Sequence, residues 1–368
     1  MPRIVDPERV MRYSYASEGK SLLTPFFWNV FCRPVLHFLP RYASPNLISL
    51  SGNLFSTFAF LLLIGVFGDF KSLVMKQPLF FLIPAFSVLI YHVLDNIDGT
   101  QARRTHSSSP LGEFFDHWLD SFNSFMLPLG VLSVFSADGR LLVAVIFFAC
   151  IAFWSSHREH KEEGKLVFPP ISELEGILMV NLIYFVAAFT GWEFWVRPLP
   201  VIRISLTTIF AGIALVGYLS YPLDLIRKYP RAGRDLAGLL SVLIFPCLWF
   251  GIAVSQGRDM HTSGVMAGII MGLIGAKKTG DLLGERLLGA LYPTFDIPLL
   301  VLGLGTVVVS FFLPQAILLP AFGCIAVLLI FLSYQLIFLV RYVTRRLKIR
   351  VFSLTEEQKE AMRLDLKN

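Results

Sequence analysis

Residues 95–120 read DNIDGTQARRTHSSSPLGEFFDHWLD, and they carry four aspartates between two apolar runs of the chain. The run before them is PLFFLIPAFSVLIYHVL (78–94), and the run after them is SFNSFMLPLGVLSVF (121–135). Each run has the continuous apolar character of a helix that crosses a bilayer. Carboxylates at the edge of a membrane are costly, and their presence points to a function. The stretch therefore predicts two membrane helices joined by a loop, with a functional site beside that loop.

The composition indicates an integral membrane protein. Of the 368 residues, 55% are hydrophobic and 16% are charged, and the mean hydropathy is +0.65. A spanning helix needs about 20 predominantly apolar residues, and the continuous runs favour helices over strands. The eighth segment is the least apolar because Lys277 and Lys278 interrupt it. We predict an all-α, polytopic fold with about ten transmembrane helices, at residues 47–67, 78–98, 114–136, 141–157, 175–195, 201–221, 237–256, 264–283, 297–318 and 322–343.

The distribution of positive charge predicts the orientation in the membrane. With ten spans and a cytoplasmic N-terminus, 26 of the 32 Lys and Arg residues lie on the cytoplasmic side. This bias is what the positive-inside rule predicts. Both termini and the loop 99–113 are therefore expected to be cytoplasmic. The net charge of +6 reflects topology, and nucleic acid is not expected as a partner.

Four parts of the chain are distinguished. Residues 1–43 form a cytoplasmic N-terminus whose aromatic-rich segment 24–40 is predicted to be an interfacial amphipathic helix. The stretch does not resemble a signal peptide, because it is charged and lacks an apolar core. Residues 44–221 are the catalytic helices, 222–343 are additional transmembrane helices that support a lipid site or a dimer, and 344–368 form a cytoplasmic tail. The four cysteines are isolated and show no metal-binding pattern.

The spacing of the aspartates predicts a metal site. Asp95 and Asp98 are three residues apart, and Asp116 and Asp120 are four apart, so each pair shares one helix face. Both pairs lie at the cytoplasmic ends of consecutive antiparallel helices, where four carboxylates repel one another unless cations neutralise them. Oxygen ligands at this density suit Mg²⁺ or Mn²⁺. The structural alternative is that these carboxylates only pair with nearby arginines.

The residues between the pairs favour binding of a phosphate-containing ligand. Gly99, Ala102 and Gly112 leave the helix faces open, and Arg103 offers a planar fork for phosphate oxygens. The full pattern D-x-x-D-G-x-x-A-R-x(8)-G-x-x-x-D-x-x-x-D resembles the signature of the CDP-alcohol phosphotransferases. The resemblance implies two divalent ions, Mg²⁺ or Mn²⁺, on Asp95, Asp98, Asp116 and Asp120. It also implies a nucleotide site at Asn46, Gly99, Ala102, Arg103 and Gly112.

Several further passages are similar to the eukaryotic choline and ethanolamine phosphotransferases: YSYASEGKSLL, SPNLISLSG, ARRT, SPLGE, FDH and LKIRVFSL. The resemblance implies transfer of phosphoethanolamine or phosphocholine from CDP-ethanolamine or CDP-choline to diacylglycerol or alkyl-acylglycerol. The products would be phosphatidylethanolamine or phosphatidylcholine, and CMP. It also implies a homodimer in the endoplasmic reticulum or Golgi membrane, with its active site facing the cytoplasm. Inositol or a sphingoid lipid as acceptor, and a cation transporter, are the alternatives.

The resemblance assigns catalysis to His117 and Glu175, beside Asp120. His117 lies one turn from both Glu113 and Asp120, so carboxylates can orient it. Glu175 is the weaker assignment, because it or Glu173 could instead cap a helix.

Two further features have a structural interpretation. His157, His160 and Glu163 are expected to lie in a solvated loop and not at a metal. Trp118 stands where this branch often has a small residue. It could stack on a quaternary ammonium, but its direction, roughly 200° from Asp116 around the helix, favours packing against lipid or another helix.

Overall fold

The computed structural model describes residues 3–13, 16–19, 21–168 and 172–365. Within these residues the chain is almost entirely helical, and each of the ten predicted segments contains a long helix. The helices in chain order are α1 Thr24–Phe27, α2 Arg33–Phe38, α3 Pro45–Leu63, α4 Phe70–Lys76, α5 Leu82–Arg104, α6 Pro110–Val134, α7 Gly139–Glu163, α8 Glu173–Thr190, α9 Trp192–Val196, α10 Leu206–Lys228, α11 Ala232–Ser255, α12 Met260–Leu288, α13 Ile297–Phe312, α14 Leu318–Leu347 and α15 Glu356–Asp365.

Seven helical segments are long and apolar enough to cross a membrane. They are α3, the segment Pro78–Arg104 that ends in α5, and α7, α8, α10, α11 and α14. The apolar helix α13 has 16 residues, while α6 and α12 carry more polar side chains. The prediction of an all-helical membrane protein is confirmed, whereas ten crossings remain a prediction.

The two polar long helices lie at the centre of the bundle. In α6, 20 of 25 residues are buried, and in α12, 20 of 29 are buried. Small residues allow the close approach: a Cβ on Gly272 would lie 2.1 Å from the Phe125 ring, and one on Gly264 would lie 2.8 Å from Gly139. Their polar groups therefore face other helices rather than lipid.

Lys277 and Lys278 lie inside α12 and do not end it. The Lys277 ammonium donates to Asp281, at 2.7 Å, and to Asp296, which caps α13. Lys278 is buried beside the carbonyl of Thr294. These partners stabilise the two cations within the bundle, so the eighth predicted segment, 264–283, lies within one continuous helix.

The N-terminal segment and the end of α14 meet at one end of the bundle. Strand β1 (Arg3–Ile4) pairs antiparallel with β4 (Ala290–Leu291), and β2 (Ser17–Gly19) pairs in parallel with β3 (Leu166–Phe168). Arg346, in the last turn of α14, pairs with Glu8. The loop that follows α5 lies at this same end, because its Ser107 lines one pocket together with Asn46 at the start of α3 and Val351 beyond α14.

The predicted helix at 24–40 is present as a continuous helical segment over 24–38, in which a π-helical turn, Trp28–Cys32, joins α1 to α2. Phe27 and Cys32 are buried, while Phe26 and Phe38 on the other side are exposed. The segment packs on α5 through Phe27, which stacks on His92 at 4.2 Å between ring centroids. Its position at a membrane interface remains a prediction.

Candidate active site

The four aspartates of the motif meet between α5 and α6. Oxygens of Asp95, Asp98 and Asp116 all lie within 4.8 Å of one another, as do ligand atoms of Asp116, His117 and Asp120. Asp116 belongs to both groups. The two helices bring the pairs together as their spacing predicts, with α6 starting at the cap of Ser109, whose Oγ accepts from the Gly112 backbone at 3.2 Å.

Hydroxyl groups hold the two most buried carboxylates. Ser49 of α3 donates to Asp98, and Tyr91 donates to Asp120 Oδ1 at 3.1 Å. Asp98 and Asp120 are buried, and Asp95 and Asp116 are half-buried. Neutral donors orient these carboxylates without removing their negative charge. The donor set is therefore suited to divalent cations that prefer oxygen ligands, such as Mg²⁺ or Mn²⁺.

The two arginines after Asp98 do not explain the cluster as an ordinary ion-pair network. Arg103 donates to the Thr100 hydroxyl at 2.8 Å and is exposed. Arg104 donates to the carbonyls of Leu36 and Leu39, which ties α5 to the N-terminal helical segment. The guanidinium of Arg103 is therefore accessible at the mouth of the cluster.

The small residues of the motif border an open space above the aspartates. A Cβ on Gly99 would lie 3.7 Å from the Arg103 guanidinium. A Cβ on Gly112 would lie 3.4 Å from Asn46 Oδ1, so Asn46 and Gly112 face each other. Ala102 is half-buried and follows Gly99 by three residues, so both lie on the same face of α5.

His117 lies between two carboxylates and two helices of the bundle. Its Nε2 is 3.8 Å from Glu113 Oε1, and its Nδ1 is 4.0 Å from Asp116 Oδ2. The Glu113 carboxylate also pairs with Arg286 of α12. Glu113 was expected from its spacing on α6. Arg286 was missed because a residue 173 positions away leaves no local signal.

The expectation for the histidines of residues 157–163 was wrong. His157 and His160 lie on α7, are 3% and 1% exposed, and pack against His117 with ring centroids 5.0 and 6.4 Å away. The charged sequence around them suggested a loop, but the apolar face of α7 continues through both histidines. They restrict the orientation of the His117 ring.

Glu175 serves as a helix cap. Its Oε2 accepts from the backbone and hydroxyl of Ser172, both at 2.8 Å, in a capping box. Its Oε1 accepts from the Ser21 hydroxyl at 2.6 Å. The other candidate, Glu173, is the exposed first residue of α8, and its side chain is not part of the capping box. The structure therefore favours the capping alternative for Glu175.

Trp118 packs inside the protein. It is 6% exposed, stacks on Phe114, and donates its indole N–H to Gln335 Oε1 of α14 at 3.2 Å. Gln335 in turn donates to Asp281 Oδ1 at 2.8 Å. This confirms helix packing, and it joins α6 to α12 and α14.

The chain is similar in sequence to known proteins. Residues 42–196 match the sequence profile of the CDP-alcohol phosphatidyltransferase family. The chain is 28% identical to human ethanolaminephosphotransferase 1 over 267 residues, which cover 67% of this chain and 66% of that protein. It is 32% identical to chicken cholinephosphotransferase 1 over 194 residues, covering 51% and 56%, respectively. The matches thus span from about half to just under two thirds of these relatives' lengths.

Proposed function

Because residues 42–196 match the profile of the CDP-alcohol phosphatidyltransferase family, we propose that the chain transfers phosphoethanolamine or phosphocholine from its CDP derivative to diacylglycerol or alkyl-acylglycerol. The products are phosphatidylethanolamine or phosphatidylcholine, and CMP. The support comes from the names of the relatives and from the converging aspartates. The proposal depends above all on two groups of potential metal ligands that share Asp116: Asp95, Asp98 and Asp116 form one, and Asp116, His117 and Asp120 form the other.

Asp95, Asp98, Asp116 and Asp120 would hold two divalent cations, Mg²⁺ or Mn²⁺. Bound there, such cations neutralise the charge of a diphosphate and hold its oxygens. The two groups share Asp116, which is the arrangement that neighbouring ions with a common ligand require. Ser49 and Tyr91 fix the Asp98 and Asp120 carboxylates through their hydroxyls, so the ligands are oriented before substrate binds.

The nucleotide half of the donor would lie over Gly99, Ala102 and Gly112. A side chain at Gly112 would contact Asn46, and a side chain at Gly99 would contact the Arg103 guanidinium. Arg103 is exposed and can bind a phosphate oxygen in its planar fork. These residues orient the diphosphate so that the phosphorus bonded to the choline or ethanolamine oxygen faces the lipid hydroxyl.

His117 would accept the proton of the lipid hydroxyl. As that proton leaves, the oxygen forms a bond to the phosphoalcohol phosphorus, and the bond from this phosphorus to the CMP oxygen breaks. Glu113, held by Arg286, can stabilise the positive charge that forms on the imidazole. Glu173 is the second candidate base, in place of Glu175, because its side chain is exposed at the start of α8 whereas the Glu175 carboxylate is engaged in the cap.

The bundle supports the predicted topology. The N-terminal segment and the end of α14 lie at the end that carries the aspartates, as an even number of crossings requires. We propose ten crossings, with α6 and α12 crossing inside the shell of apolar helices, and cytoplasmic termini. The enzyme would be a homodimer of the endoplasmic reticulum or Golgi membrane, with catalytic helices in 44–221, supporting helices in 222–343 and the segment around 24–38 on the lipid surface.

The test is an assay of the purified full chain with diacylglycerol, Mg²⁺ and either CDP-ethanolamine or CDP-choline. We expect CMP release that depends on both the lipid and the cation. Comparing the two donors determines the preferred head group. Failure to release CMP from either donor would refute the proposed activity. Inositol and a sphingoid base, supplied as alternative acceptors, serve as controls for the acceptor class.

A further inference from the structure

A small polar pocket lies beside the motif, and two distant parts of the chain form its walls. One wall comprises Ser44 and Asn46 at the start of α3, with Ser107 and Ser109 of the loop before α6. The opposite wall is the segment that follows α14, including Arg350 and Ser353. Hydroxyl, amide and guanidinium groups therefore surround a space that adjoins the aspartates.

The pocket lies about one helical turn beyond the aspartates, a rise of about 5.4 Å. Asn46 precedes Ser49, the donor to Asp98, by three residues on α3. Gly112 faces Asn46 and precedes Asp116 by four residues on α6. The pocket is therefore within reach of a nucleoside whose diphosphate is bound at the aspartates.

The segment after α14 is docked onto the site by specific contacts. The Asn46 side-chain amide donates to the Val351 carbonyl at 2.8 Å. The Phe352 ring meets Phe115 of α6 edge-on, with ring centroids 5.8 Å apart. Leu354 is 3% exposed, and Thr355 begins the next helical turns by capping α15. These contacts hold residues 349–354 against α3 and α6.

We infer that residues 349–354 form the outer wall of the nucleotide site, with Arg350 contacting the CMP half of the donor. The inference rests on the proposed function and extends it to a part of the chain outside the matched domain. Arg350 is exposed, and no carboxylate in the described residues forms an ion pair with it. A guanidinium in this position can bind a phosphate or stack on a base.

The experiment uses the purified full chain and three single variants. Arg350→Ala removes the cation, Ser353→Trp fills the pocket, and Arg345→Ala is the control, because Arg345 is an exposed cation of α14 outside the pocket lining. Binding of CMP and the KM values for the CDP-alcohol and for diacylglycerol are measured, with thermal unfolding as a check on folding.

We expect Arg350→Ala to weaken CMP binding and raise the donor KM about three- to tenfold, the range for a partly exposed charge-assisted contact. Ser353→Trp should have the larger effect. Arg345→Ala should leave CMP binding and the donor KM at parental values. The KM for diacylglycerol should stay at the parental value in the variants. Unchanged CMP affinity in both folded pocket variants would overturn the inference. If the parent chain binds CMP but transfers neither head group, the proposed activity fails, while the CMP affinities still decide the role of this segment.

Discussion

The ion pair between Arg286 and Glu113 allows the sharpest test of how the second half of the chain serves the site. The Arg286 side chain is 11% exposed and that of Glu113 is 3% exposed. Removing one partner of a buried pair costs about 3–5 kcal/mol, because the other charge stays buried without compensation. Arg286→Gln should therefore lower the thermal unfolding temperature clearly. It should also lower kcat, because Glu113 no longer holds its position 3.8 Å from His117.

A double-mutant cycle separates the two consequences. Glu113→Gln combined with Arg286→Gln removes both charges of this pair, so neither partner stays buried as an uncompensated charge. The unfolding temperature should therefore recover toward the parental value. The kcat should remain roughly ten- to a hundredfold low, since small errors in the position of a catalytic group cost about that much. Thermal unfolding in detergent and CMP release measure the two effects. Equal stability and activity of Arg286→Gln and the parent would refute this account of the pair.

Four further substitutions test other parts of the site. Asp116→Asn should abolish CMP release and its dependence on Mg²⁺, because both acidic groups share this residue; retained turnover would contradict a shared ligand. Glu173→Gln should lower kcat with little change in stability, whereas Glu175→Ala should cost about 0.5–2 kcal/mol of stability, because it removes the side chain that completes the capping box; the reverse pattern in kcat and unfolding temperature would restore Glu175 as the base candidate. Trp118→Phe removes the bond to Gln335 and should cost about 0.5–1.5 kcal/mol while the CDP-choline to CDP-ethanolamine ratio stays unchanged; an altered ratio would show that Trp118 meets the head group.

Local spacing in the sequence predicted the helices and the convergence of the aspartates, because residues three and four apart share a helix face. The same rule placed Glu113 beside His117. The number of membrane crossings is harder to predict than the helices themselves. The helices α6 and α12 are shielded by their neighbours, so they need not be apolar throughout, and apolar runs are the signal for a crossing.

Contacts between residues that are far apart in the sequence were not predicted. His157 and His160 lie in a sequence that looks like a polar loop, yet they pack on His117 from the end of α7. The choice between Glu173 and Glu175 depended on where α8 begins, since the third residue of the helix returns to its cap and the first does not. Lys277 is tolerated in the bundle because Asp296, 19 residues later, faces it.

We propose that the protein transfers a phosphoalcohol from a CDP derivative to a lipid hydroxyl. The most direct measurement supplies CDP-ethanolamine or CDP-choline labelled with ³²P in the phosphate next to the alcohol, together with diacylglycerol and Mg²⁺. We expect the label to appear in the phospholipid and unlabelled CMP to be released in equal amount. We expect Asp116→Asn to form neither labelled phospholipid nor CMP. Label that remains with the nucleotide, or labelled lipid formed equally well by Asp116→Asn, would contradict this proposal.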